Sequence, residues 1–206
     1  MVMETIDKPV LLLVDADGLV YHSSKDTLEE SIQVLNEKIN NMYEKTGATH
    51  SCFFISQGRY FRHNIDPNYK KLRNNIKTSL KWLQTLKMYL KEAYNAQSMT
   101  NCEADDLVAY WYNSDLIYGK IYINLEEKFI TRKNRAFNQE EEYLEIILCS
   151  PDKDLLQSIE GKHFNYTYKD ENNKGWWVIT TKEEAEKFKW IQMLMGDTTD
   201  SIPSLS

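Results

Sequence analysis

The chain has 206 residues, 25 Lys and Arg against 31 Asp and Glu for a net charge of -6, and 42% hydrophobic with 27% charged residues. With only seven Gly and four Pro it is neither disordered, collagen-like nor low-complexity, and its length suits one buried core. Cys52, Cys102 and Cys149 are too dispersed for a disulfide framework or a zinc site, and no apolar run reaches the roughly 18 residues of a membrane span or forms a signal peptide. A soluble, unexported protein of a reducing cytoplasm is expected.

In chain order, the apolar run Val10 to Val14 predicts a buried parallel strand that empties into a loop at Asp15-Ala16-Asp17-Gly18. Asp26 or Thr27 then caps an amphipathic helix marked by Leu28, Ile32, Leu35, Ile39 and Met42, which stops near Gly47. Cys52 to Ile55 is a second strand. Beyond Pro67, the spacing of Ile76, Leu80, Leu83, Leu86 and Leu90 predicts a long helix, and Asn101 is the predicted cap of another from about Cys102 to Asn113. Ile121 to Ile123 reads as a short strand, and Thr131 to Glu142 as a polar surface excursion. A third buried strand, Glu145 to Cys149, leads to a short helix, Lys153 to Ile159. Strands follow at His163 to Tyr168 and Trp176 to Ile179, and Thr181 with Glu184 forms a capping box for a helix ending near Gly196. Alternating strands and helices predict an α/β fold with a mainly parallel sheet, whose ligands bind beyond the carboxyl ends of the strands.

The charge is unevenly distributed. Between Arg59 and Lys91 nine basic residues (Arg59, Arg62, Lys70, Lys71, Arg73, Lys77, Lys81, Lys87 and Lys91) face one acid, Asp66, a local balance of +8 that leaves -14 for the remainder. Four acid groups flank apolar runs: Asp15 with Asp17, Glu103 with Asp105 and Asp106, Asp152 with Asp154, and Asp197 with Asp200. Taken singly, each has a structural explanation, as helix caps, first-turn partners of a helix dipole or residues of a solvated turn. Taken together they pose an electrostatic problem, because two like charges at 4 Å repel by roughly 4 kcal/mol at an effective dielectric of 20. Carboxylates without His or Cys select hard ions such as Mg²⁺ or Mn²⁺, and a surplus beyond one ion's needs suits two-metal phosphodiester hydrolysis. Lys70, Arg73, Lys77 and Lys81, at three- and four-residue spacing, would make a stripe along one helical face that follows a phosphate backbone, with Tyr69 beside it to stack on a base.

The ordered motifs Val14-Asp15, Phe61-Arg62, Pro67-Asn68-Tyr69-Lys70-x-x-Arg73, Glu103-Ala104-Asp105-Asp106, Ser150-Pro151-Asp152-Lys153-Asp154 and Gly196-Asp197-x-x-Asp200-x-Ile202-Pro203 resemble the 5′ nuclease superfamily. That superfamily includes bacteriophage 5′-3′ exonucleases, flap endonucleases and the 5′ nuclease domain of bacterial DNA polymerase I. The resemblance implies a single PIN-like three-layer α/β/α domain over residues 1–206, with a basic helical arch at about 59–91. It implies a first metal site at Asp15, Glu103, Asp105 and Asp106 and a second at Asp152, Asp154, Asp197 and Asp200, for two Mg²⁺ or Mn²⁺ ions. Asp15, Asp106 and Asp152, with Lys70 and Arg73, would carry catalysis, and Arg62, Tyr69, Lys70, Arg73, Lys77 and Lys81 would bind nucleic acid. The implied substrate is DNA with 5′ ends or flaps, or an RNA-DNA hybrid, handled in phage replication or recombination within the bacterial cytoplasm.

Departures from the family pattern shape three further expectations. Ser56 stands just after the second strand, where many relatives have an aspartate, so Asp17 either compensates for a missing ligand or is a surface loop acid. Residues 120–143 have no counterpart in the pattern. The glycine-rich helix-hairpin-helix that follows Ile-Pro in the family is not in the sequence. Either the chain is a fragment, completed in one version by a separate polypeptide, or it handles DNA without that module, and weak cleavage by the chain alone is expected. A non-catalytic nucleic-acid-binding subunit and a PIN-type ribonuclease are the competing readings.

Overall fold

The computed structural model describes residues 10–71, 81–118, 145–167, 176–198 and 200–205, without the side chains of 114–118 and 176. Its elements are β1 (Val10–Asp15), α1 (Ala16–Ser23), α2 (Leu28–Thr46), β2 (His50–Phe54), α3 (Arg62–Ile65), α4 (Leu83–Tyr94), α5 (Ala104–Tyr118), β3 (Glu145–Cys149), α6 (Lys153–Ser158), β4 (Gly161–Asn165), β5 (Trp176–Thr180) and α7 (Lys182–Met195). The strands form one sheet in the order β2-β1-β3-β4-β5, parallel except for the antiparallel β4-β5 pair.

The apolar run in β1 is continuous because both faces of the central strand are covered. Leu11 and Leu13 join Cys52, Phe54 and Leu148 on one face, under Leu107, Val108 and Trp111 of α5 and Leu155 and Leu156 of α6. Leu12 and Val14 join Phe53, Ile147, Cys149 and Phe164 on the other, under Leu19 and Val20 of α1, Leu35, Ile39 and Met42 of α2, and Leu86 and Leu90 of α4. Period-two alternation in the strands thus divides the core into two apolar layers, the α/β/α sandwich the sequence predicts.

Four local expectations are corrected. No loop follows β1: α1 starts at Ala16, with Asp15 as its N-cap accepting the Asp17 N–H at 3.3 Å. Asn101 does not cap α5. It adopts a left-handed backbone (φ 66°) and accepts the Phe61 N–H through its carbonyl at 2.9 Å, and α5 begins three residues later. The strand read from His163 begins at Gly161. The basic stripe is not one helical face at its ends, since Lys70 lies in a turn with φ 56° and Lys81 lies in a turn before α4. Arg73 and Lys77, Ile76 and Leu80, the Ile121 to Ile123 strand, the 120–143 excursion and Tyr168 lie outside the described residues.

The capping box at Thr181 and Glu184 is formed as read, and Gly47 in the left-handed conformation ends α2. On α7 only Ala185 is buried, while Trp190, Ile191, Met193, Leu194 and Met195 are exposed. Among the described residues no helix is long and apolar enough to cross a membrane.

A fully buried side chain and an exposed apolar one should respond differently to truncation. Leu35→Ala, at the centre of the layer under α2, should cost about 2–5 kcal/mol in denaturant unfolding, and Met193→Ala on α7 less than about 0.5 kcal/mol.

Candidate active site

Strand β1 is flanked by β2 on one side and β3 on the other, so the chain reverses its winding direction at the β1/β3 boundary. In open α/β sheets the crevice beyond the carboxyl ends at such a reversal is where ligands bind. Here Asp15 ends β1, Ser56 follows β2, and Ser150 to Asp152 follow β3. Together with Asp17, Gly18, Lys70, Glu103, Ala104, Asp105 and Pro151, Asp15, Ser56 and Asp152 line a cleft of about 220 Å³. Gly18 is required for this closeness, because a Cβ there would lie 2.4 Å from Pro151 Cγ and 2.9 Å from the Tyr166 hydroxyl.

Asp15 is 7% exposed and accepts a hydrogen bond from the Ser150 hydroxyl at 2.9 Å, while Ser150 Oγ accepts the Asp152 N–H at 3.0 Å. One serine therefore links the ends of β1 and β3. Among the described residues no basic side chain pairs with Asp15 or Asp105. Burial, then the charges of Asp17 and Asp105, push the Asp15 carboxyl from 3.8 up to about 7, against the lowering effect of Ser150. Burial, then Glu103 and Asp106, push Asp105 to about 6.

Glu103, Asp105 and Asp106 present carboxylate oxygens within 4.8 Å of one another at the head of α5. Glu103, 4% exposed, is satisfied from three sides: Arg62 Nη1 donates at 3.0 Å, the Tyr69 hydroxyl at 2.7 Å, and Lys70 Nζ pairs with its other oxygen. Asp106 takes both Arg62 guanidinium nitrogens, at 2.7 and 2.5 Å, and caps back onto the Glu103 N–H at 3.0 Å. Burial pushes Asp106 up, but the Arg62 guanidinium and this N–H outweigh it and hold the carboxyl below its ordinary value.

The turn after α7 brings further acids up to Tyr69 and Lys70. Gly196 (φ 68°) lets the chain pass so close that a Cβ would lie 2.5 Å from the Ile202 carbonyl oxygen, and Asp197 and Ile202 then exchange backbone hydrogen bonds at 2.8 and 2.7 Å. This turn presents Asp200, whose Oδ2 lies 3.1 Å from the Tyr69 hydroxyl and 3.8 Å from Lys70 Nζ, while its carbonyl accepts the Lys70 N–H at 2.9 Å. Asp152 caps α6 by accepting the Asp154 N–H at 2.8 Å. Burial, then Asp152, with smaller contributions from Asp197 and Asp200, raises the Asp154 carboxyl.

The structure thus brings Asp15, Glu103, Asp105 and Asp152 to one cleft, turns Asp106 toward Arg62, and sets Asp154, Asp197 and Asp200 on the adjoining side. Asp17 is no surface loop acid, since it lies in the first turn of α1 and lines the cleft. Tyr69, read from the sequence as a base-stacking residue, is 6% exposed and holds Glu103 and Asp200, so its ring is not offered to a base. Lys81, read as the end of the phosphate-binding stripe, stands over the Trp82 ring at 4.5 Å and does not line the cleft. Sequence reasoning assigned no role to Ser56, Lys87 or Ser150. The available signal was position: Ser56 and Ser150 stand just past buried strands, where Asp15 also stands.

An oxygen-only set of carboxylates, one of them buried without a basic partner, fits a hard divalent cation. Asp15, Glu103, Asp105 and Asp152 would hold it.

No protein-family model matches the chain, and no curated protein matches it by sequence. Solved structures do. A bacteriophage T5 flap endonuclease in a pseudo-enzyme-product complex with DNA and metal ions superposes with a TM-score of 0.66 at 16% identity, covering 95% of this chain and 70% of that one. The chain shares the fold of this T5 nuclease. The T5 protein co-crystallized with metal ions gives a TM-score of 0.62 at 19% identity over 95% of this chain and 69% of the other. A mutant T5 5′-exonuclease gives 0.59 at 15% identity over 97% and 67%.

The raised carboxyls make a pH prediction. Asp15 and Asp105 hold protons more tightly folded than unfolded, so the stability they contribute is full below about pH 4 and is lost as pH rises through 6 to 7. The metal-free protein should show a falling Tm across that window in calorimetry. Added Mn²⁺ should raise Tm by several degrees at pH 7.5 and less at pH 5, where protons compete for the same oxygens.

Proposed function

We propose that the chain is a metal-dependent nuclease of the 5′-3′ exonuclease and flap endonuclease type, hydrolysing phosphodiester bonds at 5′ ends or flaps of DNA. The observation that carries this reading is the cleft itself: Asp15, Glu103, Asp105 and Asp152 converge at the sheet's reversal point, with Lys70 on the same wall, in a fold shared with a flap endonuclease solved with DNA and metal ions.

Two Mg²⁺ or Mn²⁺ ions held by the two carboxylate groups would activate water and stabilise the leaving 3′ oxygen. The protein's own part is positioning and charge. Ser150 fixes the Asp15 carboxylate and the start of the Asp152 turn with one hydroxyl, so the two strand ends keep a constant separation. Tyr69 and Arg62 hold Glu103 and the head of α5 in place. Lys70, paired with Glu103 and near Asp200, is the ammonium that an incoming phosphate would claim, and its left-handed backbone aims it into the cleft at a cost in strain. Arg73 and Lys77 extend the same basic stretch in sequence and would add phosphate contacts that fall with salt.

The test is cleavage of a 5′-labelled flap duplex with Mg²⁺ or Mn²⁺. Asp105→Asn and Asp152→Asn should each lower the rate at least about 100-fold, and Lys70→Met about 10- to 100-fold. Chelator should abolish cutting by the unmodified chain. DNA binding with no metal-dependent cutting would overturn the enzyme reading in favour of a non-catalytic binding subunit, and preferential cutting of unstructured RNA would favour a ribonuclease.

A further inference from the structure

Lys87 of α4 reaches the cleft from behind. Its Nζ lies 2.7 Å from Asp17 Oδ1 and donates to the Ser56 carbonyl at 2.8 Å, while the same Asp17 oxygen accepts the Ser56 N–H at 3.1 Å. One ion pair thus clamps both backbone groups of Ser56. Ser56 Oγ in turn accepts the Ala104 N–H at 2.8 Å, at the head of the helix that carries Glu103, Asp105 and Asp106. The Lys87 side chain is only 19% exposed, and α4 closes the basic stretch that begins at Arg59. A contiguous set of bonds therefore runs from that helix through Asp17 and Ser56 to the acids of α5.

Asp17 lines the same cleft as Asp15, Glu103, Asp105 and Asp152. Glu103 also pairs with an ammonium, but its Lys70 lines the cleft where a phosphate would claim it, whereas Lys87 is held behind the cleft by the Ser56 carbonyl as well. We infer that Lys87 is an internal counter-cation that withholds Asp17 from the metal-ligand set and ties α4 to the cleft, making it a positioning residue for hydrolysis. The inference rests on the function proposed above. Losing the ammonium leaves Asp17, still bonded to the Ser56 N–H, as an additional uncompensated negative charge beside Asp15. The cleft then attracts divalent cations more strongly but holds them off the productive position, so affinity and turnover move in opposite directions. A purely structural strut would lower both.

Titration calorimetry with MnCl₂ on the metal-free protein, beside the flap-cleavage assay, separates these cases. Lys87→Met should bind Mn²⁺ about three- to tenfold more tightly while cleavage falls about tenfold, because affinity follows the number of ligand charges. Lys87→Arg should resemble the unmodified chain in both. Asp17→Asn alone should leave Mn²⁺ affinity within about twofold, and combined with Lys87→Met it should cancel the gain. A loss of about tenfold in Mn²⁺ affinity for Asp17→Asn would make Asp17 a ligand and overturn the inference, as would unchanged affinity for Lys87→Met. Those results leave the nuclease reading standing, whereas an unmodified chain that binds no Mn²⁺ overturns both.

Discussion

Mutual repulsion among carboxylates gathered at one end of a parallel sheet is the constraint that the rest of the site answers. The fold meets it with three devices. The first turns of α1, α5 and α6 place the positive ends of three helix dipoles where Asp15, Glu103 and Asp152 sit. Arg62, Lys70 and Lys87 neutralise Asp106, Glu103 and Asp17 respectively. Asp15 and Asp105 receive no such partner among the described residues, and their carboxyls shift toward the protonated state instead.

Helix capping and the gathering of carboxylates, which compete as explanations at the sequence level, coexist in the structure. Asp15 and Asp152 each spend one oxygen on a backbone N–H of the helix they precede, and Asp15 turns its second oxygen to the Ser150 hydroxyl. Capping fixes the rotamer, which is what a preorganised ligand needs. The same economy places Asp106 both as a cap on Glu103 and as the anchor for Arg62.

Strands were legible because a sheet buried on both faces demands uninterrupted apolar runs, and Val10 to Val14, Cys52 to Ile55 and Ile146 to Cys149 supply them. The acids past those runs were legible for the same reason, since a strand end is a fixed address. The start of α1 was missed because Asp-Ala-Asp-Gly has the composition of a turn, and only the packing of Leu19 and Val20 onto the sheet makes it helical. Asn101 was misplaced because its preference for a cap and for left-handed backbone are both real, and the pairing with the segment at Phe61 decided between them. Tyr69 shows the limit most clearly. Nothing in its neighbours announces that two distant acids, Glu103 and Asp200, will bury its ring by claiming its hydroxyl.

The contact between Lys70 and Asp200 joins positions 130 residues apart, and the cleft also draws on Asp15 near the start of the chain. No partial stretch of the polypeptide contains the set. In a growing chain the residues that line the cleft are complete once Asp152 has been added, well before the turn that brings Asp200 to Lys70. The Lys70–Asp200 contact therefore forms only once the turn from Asp197 to Ile202 has closed, after the strands of the sheet have left the ribosome.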